Sequence, residues 1–399
     1  MLDTKPRFAF PLLAYAFAVI MLGTTLPTPM YAVYGEHMHF SVLTTTVIYA
    51  TYAGGVLFTL LAFGRWSDAV GRRPVLLAGV AFGLASAVVF LSAESVPQLL
   101  VARVLSGLSA GLFTGTATAA IIEAAPDHWR GRAAAVATVA NIGGLGAGPL
   151  LSGLLVEYAP APLHLSFIVH IALLALATAA IVVIPETSER SGSIGLQRLS
   201  VPSEVRSVFA TAAVAAFAGF AVTGLFTSVA PAFLANVVGI HNHAVAGLIV
   251  CTIFAASAFA QVAAGRIAPQ RAIAVGCALL IVGMAILAGA LHFSSLAGLI
   301  VAAVVSGVGQ GISFSRGLAA VAEKTPPARR AEVSSTYFVV AYVAISVPVV
   351  GEGLASQDFG LRTAGVSFAV AVAVLAVLCL VGISVQAARQ SWRTAAARI

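Results

Sequence analysis

The chain has 399 residues, of which 60% are apolar, and Asp, Glu, Lys and Arg together make up 9%. With a mean hydropathy of +1.02, its charge density is about a third of that of a soluble domain, which excludes a water-soluble enzyme or binding module. The net charge of +7 would suit a nucleic-acid partner, but the basic residues are dispersed in short loops between apolar runs, which removes that reading.

Twelve apolar runs, each about the 20 residues a helix needs to cross a bilayer, follow in chain order. They lie at 8–33, 41–63, 74–93, 97–122, 133–157, 164–185, 207–236, 244–266, 271–293, 296–321, 331–354 and 362–386. This predicts an all-α integral membrane protein with twelve transmembrane helices. The first run is too long for a signal-peptide core, and Pro27, Thr28 and Pro29 replace a small-residue cleavage site, so it is read as a retained helix 1. Cys251, Cys277 and Cys379 fall inside spans without paired spacing, so no disulfide or zinc site is expected. The His-x-His pairs HMH (37–39) and HNH (241–243) fall in predicted outer loops, and no metal is assigned to them.

Of the 21 Lys and Arg, 18 lie at the N-terminus (Lys5, Arg7), in every second loop, or in the tail. By the positive-inside rule both termini are expected in the cytoplasm. SGLSAG (106–111) recurs as SGVGQG (306–311), and Glu123, Pro126, Arg130 and Gly153 recur at the same offset of 200 as Glu323, Pro326, Arg330 and Gly353. Six spans per copy give the copies the same orientation, as in parallel repeats about an axis along the membrane normal. The predicted organisation is an N-terminal six-helix bundle (1–185), a cytoplasmic linker (186–206) and a C-terminal six-helix bundle with a short cytoplasmic tail (207–399). Two such bundles leave an interface at mid-membrane that rocking exposes to each side in turn, and that geometry means transport of a small molecule across a lipid bilayer.

The loop between spans 2 and 3, GRWSDAVGRR (64–73), concentrates four charges in ten residues. Asp68 is placed to accept hydrogen bonds from a neighbouring helix N-terminus, and Arg72 or Arg73 to pair with Glu123 at the inner end of helix 4. Twelve spans, the repeat, and Gly64, Asp68, Gly71, Arg72 and Arg73 in the spacing Gly-x-x-x-Asp-basic-x-Gly-basic-basic together resemble the major facilitator superfamily over the whole chain. Ala69 departs from that pattern, where a basic residue is usual. The resemblance implies that the helix met by Asp68 is helix 11 of the other half, in a contact that closes the cytoplasmic side in one state and breaks in the other. The second copy of the loop, GRIAPQR (265–271), keeps its arginines but has no acid.

Helix 4 carries Arg103 followed by Gly107, Gly111 and Gly115, which resembles a second pattern of the family. An arginine inside a span costs about 2.5–3.5 kcal/mol on insertion scales, so Arg103 is expected to face a partner or a watery cavity. Helix 5 holds NIGGLGAGPLLSG (141–153), which resembles the drug and metabolite antiporters: Gly144, Gly148, Pro149 and Gly153 fit, and Ser152 replaces a glycine. Glycines four apart let helices approach closely, and Pro149 removes a backbone hydrogen bond.

Counting depth from the helix ends places Thr24, Thr25, Tyr49, Tyr52, Asn141, Phe220, Thr223, Phe254, Gln261, Gln310, Tyr337 and Tyr342 nearest mid-membrane, as candidate substrate contacts together with Arg103. None of the fourteen Asp and Glu lies there, although many proton-coupled exporters resembling this chain carry a carboxylate at that depth. The candidates for handling a proton are Glu352, Glu123 and His170. The resemblance implies a monomeric exporter of small amphipathic drugs or metabolites in the inner membrane, driven by a proton gradient and needing no cofactor. Arg103, Arg316 and the missing carboxylate suggest as the alternative an exporter of sugar-like or anionic metabolites with different or no proton coupling. There is no His-Glu-x-x-His run, no intramembrane aspartate pair and no output domain to suggest an enzyme or a sensor.

Overall fold

Hydrocarbon offers backbone amides no partner, so a chain this apolar has to pair its N–H and C=O groups internally, and helices do so without help from a neighbour. The computed structural model describes residues 8–190, 192 and 194–396, with side chains described as far as Val385. Among the described residues all regular structure is helical. Lys5, Arg7 and Arg398, and the side chains of Arg389 and Arg393, lie outside the described residues.

Twelve helices are long and apolar enough to cross a membrane: α1 (Ala9–Met38), α2 (Val42–Phe63), α3 (Arg72–Leu91), α4 (Val96–Ala124), α5 (Asp127–Tyr158), α6 (Leu165–Val183), α7 (Ser203–Ser228), α8 (His243–Arg266), α9 (Pro269–His292), α10 (Leu296–Lys324), α11 (Pro327–Phe359) and α12 (Leu361–Val385). Two differ from the apolar runs for a reason visible in the sequence. Helix α1 continues past a turn at 26–29, set by Pro27 and Pro29, so His37 lies in its last turn rather than in a loop. Helix α7 breaks at Val229 in front of Pro231, which cannot donate to Thr227, and resumes as a short segment, Ala230–Phe233.

The packing repeats every six helices. In the first half α4 packs against α1, α2 and α3, while α1 meets α5 and α6, and α3 meets α6. In the second half α10 packs against α7, α8 and α9, while α7 meets α11 and α12, and α9 meets α12. Each contact thus has a counterpart six helices on. The halves meet along two seams, α2 with α11 and α5 with α8, which the same shift interchanges.

Small residues set the closest approaches. A Cβ on Gly107 of α4 would lie 2.9 Å from the Cα of Gly55 on α2 and would also run into the Tyr52 carbonyl. Its counterpart Gly307 lies equally tight against the Ile253 carbonyl of α8. Gly107→Ala is therefore expected to destabilise the fold by about 1–3 kcal/mol, the usual cost of overpacking, read as a lower melting temperature in detergent. Gly54→Ala is the control, because a Cβ there meets nothing within 4 Å, and it should leave that temperature unchanged or slightly raised.

Candidate functional site

The two seams are shut at one face and parted at the other. At the shut face Gly153 of α5 presses on the His243 carbonyl of α8, Gly247 of α8 on the Pro149 carbonyl, and Gly353 of α11 on Thr46 of α2. Glu157 accepts the His243 N–H at 2.9 Å and meets Nδ1 of the same residue at 3.0 Å, and Gln357 Nε2 donates to Ser41 Oγ at 3.3 Å. At the arginine-rich face the seams open into a cavity of about 650 Å³, within the range of small-molecule sites.

The cavity wall is built from both halves. Thr59 of α2, Thr114 and Thr118 of α4, and Thr138 and Asn141 of α5 supply hydroxyls and an amide. Phe314 of α10 and Phe338 of α11 face them, with ring centroids 5.9 Å apart, and Phe314 is backed by Tyr337 at 5.6 Å and Phe220 at 4.9 Å. Gln261 of α8 reaches the cavity and donates to Ser257 Oγ at 3.1 Å, which donates to buried Gln310 at 2.5 Å. Among the described lining residues the charged ones are Asp68 and Arg72, at the rim.

Of the residues placed near mid-membrane by sequence, Asn141 and Gln261 line this cavity. Tyr52 and Tyr342 meet across the α2–α11 seam, centroids 6.3 Å apart, about 10 Å along α2 beyond Thr59. Thr24, Thr25, Tyr49, Thr223, Phe254 and Gln310 are buried between helices. Depth along a helix gives height but not direction, and the shut face buries whatever lies on it. Phe314, Phe338 and the threonines escaped notice, although Thr114 and Thr118, four apart on α4, carried the signal of a shared face.

Arg103 is 1% exposed and is absent from the cavity wall. Its Nη1 donates to the Thr24 carbonyl at 2.5 Å and its Nη2 to that of Tyr49 at 3.4 Å, while the guanidinium sits 4.7 Å from the Tyr52 ring centroid. Thr24 has a carbonyl to offer because the α1 turn diverts the Thr28 N–H to Thr25. Pro149 has a similar effect on α5: it cannot bond the Leu145 carbonyl, and Thr25 Oγ1 donates there at 2.7 Å.

At the rim Arg72 holds Asp68 at 2.6 Å, Ser67 at 2.7 Å and Glu123 at 2.9 Å, whereas Arg73 donates to the Val182 carbonyl. Asp68 is thus paired within its own half. The carboxylate that sits on a helix N-terminus is Glu186, which sequence reasoning left as linker: it accepts the Arg72 N–H at 2.7 Å and the Arg73 N–H at 3.1 Å. Gly71 makes room for it, since its φ of +117° is in the left-handed region and a Cβ would lie 2.5 Å from Glu186 Oε2. Burial raises the Glu186 carboxyl, but the N–H groups of Ser188, Arg72, Arg73 and Thr187 outweigh it and hold the group below its usual value. The anionic cap is therefore present at neutral pH and is lost only as pH falls through that lowered value. Beyond it the linker bonds α2, through Gln197 N–H to the Leu61 carbonyl at 2.8 Å, and α11, through Ser200 N–H to Thr336 at 3.0 Å.

The proton-handling candidates differ sharply. Glu123 is engaged by Arg72 and by Thr187 at 2.8 Å. His170 lies 3.2 Å from the Val19 carbonyl, beside a void of about 10 Å³ lined by Ser86, Ser106 and Ser109, the size of one water. Glu352 is 3% exposed, and neither carboxylate oxygen has a hydrogen-bond partner among the described residues.

The chain resembles known proteins at two levels. Over most of its length it matches a solved structure of a bacterial homologue of the human lysosomal transporter Spinster in an inward-facing, unoccupied conformation, with a TM-score of 0.77 at 16% identity, covering 96% of this chain and 98% of that one. Shorter stretches match curated relatives. The multidrug transporter MdfA of Yersinia pestis is 31% identical over 154 residues, 38% of this chain and 37% of that protein. Myo-inositol transporter 3A of Cryptococcus neoformans is 36% identical over 78 residues, 20% and 13% of the two chains, and an uncharacterized transporter of Bacillus subtilis, YhjO, is 27% identical over 159 residues, 39% and 40%. These matches span less than half the length of each curated relative. The family model named Major Facilitator Superfamily matches residues 13–349, and with twelve spans in this fold the chain belongs to that superfamily, as a multi-pass protein of the cell membrane.

Proposed function

We propose that this transporter exports small amphipathic molecules, drugs or metabolites, by alternating access in exchange for protons, acting as a monomer in the inner membrane. The observation that carries this reading is the cavity: it opens at the arginine-rich face, which the positive-inside rule assigns to the cytoplasm, and sets an aromatic wall against a hydroxyl and amide wall. The likeness of one stretch to a multidrug transporter supports it. An efflux assay with dyes and antibiotics in an exporter-deficient host should reveal resistance to several unrelated compounds, and sensitivity to all of them would sink the drug reading.

We assign the proton to Glu352. A carboxylate shut in without a partner carries its full desolvation cost when ionised, so the face that buries Glu352 closes over the protonated acid and admits water to the ionised one. Inverted vesicles with an acidic lumen should accumulate substrate, and Glu352→Gln should abolish that accumulation while leaving substrate exchange at zero gradient. Gradient-driven accumulation at the wild-type rate in the variant would overturn the assignment.

Asp68 and the first turns of α11 line the same open rim from opposite sides, so closing this face brings the carboxylate to the α11 N-terminus. Helix-terminus interactions of about 0.5–2 kcal/mol shift a two-state population by roughly two- to thirtyfold. Asp68→Ala should therefore slow turnover within that range and leave KM within about twofold, as measured by initial rates in proteoliposomes. A large rise in KM at unchanged turnover would count against the gate.

A second reading, export of a neutral sugar-like metabolite, is favoured by the same hydroxyl and amide wall, and one relative is named a myo-inositol transporter. Its anionic variant loses support because Arg103 is turned to the Thr24 carbonyl and the tyrosine rings. Uptake of labelled polyols by the same vesicles, in the absence of any dye resistance, would select it.

A further inference from the structure

A second large hollow lies on the outer surface of the first half and, among the described residues, shares no lining residue with the transport cavity. It is a groove of about 770 Å³ between α1 and α5. It exists because both helices present small residues along it, Ala14 and Ala18 on α1 and Ala140, Gly143 and Ala147 on α5. Val139 of α5 and Val262 of α8 edge it and are about half exposed, 53% and 45%. At its arginine-rich end the apolar lining gives way to Trp129 and Arg132, with the Arg132 guanidinium 5.9 Å from the Trp129 ring centroid.

We propose that this groove binds one molecule of anionic phospholipid, with an acyl chain between α1 and α5 and the phosphate on Arg132. Three features point to that occupant. The groove runs from Arg132 to Ala147, about 22 Å at 1.5 Å per residue, which exceeds the roughly 15 Å depth of one leaflet's hydrocarbon. Trp129 sits where aromatic side chains mark the membrane–water interface, so the groove's charged end is at headgroup height. Nearby Arg130 is paired with Asp127 at 2.9 Å, whereas no carboxylate pairs with Arg132 among the described residues, leaving it as the cation that faces a phosphate.

Gly143 allows a clean test, because a Cβ there would meet only Val139, at 3.9 Å. Full-length protein in mild detergent is titrated with phosphatidylglycerol, phosphatidylcholine or soluble glycerol phosphate, and lipid retention is read by native mass spectrometry. The wild type should retain phosphatidylglycerol at least about fivefold better than phosphatidylcholine and should not retain glycerol phosphate. Arg132→Gln should erase that preference. Gly143→Leu, which fills the groove, should reduce retention of both lipids, and Val139→Trp provides a second blocked groove should the first variant fail to fold. Equal retention of the two lipids by the wild type, retention of glycerol phosphate alone, or undiminished phosphatidylglycerol in a folded blocked-groove variant would each overturn the proposal.

Discussion

The Arg72 guanidinium joins the short segment Trp66–Ala69 that follows α2, the start of α3 and the end of α4, and the organisation of the arginine-rich face depends on it. Its partners are not equal. The Arg72 side chain is 12% exposed and grips Glu123 with two nitrogens, Nη2 at 2.9 Å and Nε at 3.4 Å, a charge-assisted fork that is among the stronger polar contacts. Asp68 is 55% exposed, and pairs that open to water contribute about 1 kcal/mol or less. Glu123 is thus the fixed partner and Asp68 the replaceable one, which suits the proposed exchange of partners by Asp68.

The buried bonds of Arg103 and Thr25 tie helices together inside the first half, whereas at the shut face the bonds of Glu157 and Gln357 between the halves sit at the edge. Arg103 and Thr25 take up carbonyls released by the turn in α1 and by Pro149, tying α1 to α4 and α5 inside the first half. Across the shut seams the contacts are glycine against backbone and buried tyrosines of α2, with Tyr52 against Tyr342 of α11 and Tyr49 against Thr227 of α7. At the edge they are Glu157 with His243 and Gln357 with Ser41, whose side chains reach water. Bonds buried in hydrocarbon are costly to break because no water replaces them, while those at the rim exchange with solvent. Of the contacts between the halves the rim bonds are therefore the least costly to exchange, which suits the proposed rocking of one half against the other.

The sequence carried the architecture because hydropathy and repetition are one-dimensional properties. Twelve runs became twelve helices, and the 200-residue offset reappears as packing that repeats every six helices. The charged loop was also legible, since Arg72 meets Glu123. Direction around a helix was not. Arg103, Tyr49 and Gln310 lie at about the right depth but point into packing, and Phe314 and Phe338 were passed over for Tyr337 and Tyr342, their neighbours. Glu186 was missed because a carboxylate in a polar linker looks solvated until the fold brings the α3 N-terminus beneath it.

The repeat makes the two seams equivalent, yet the sequence equips them differently. The α2–α11 seam has its acid, Asp68, at the arginine-rich end, and the second copy, GRIAPQR, lacks one. The α5–α8 seam has its acid, Glu157, at the opposite end, where it holds His243 now. Under the proposed alternation each seam has one acidic latch, Asp68 at the arginine-rich face and Glu157 at the shut face, with Gln357 and Ser41 as a neutral contact beside the latter. Closing one latch then coincides with opening the other, because rocking about the mid-membrane packing of the seams cannot shut both faces fully. An acid at the same end of both seams would deepen one state and leave the other unlatched, so the asymmetry between the halves helps to keep the two states close in free energy, which rapid turnover requires.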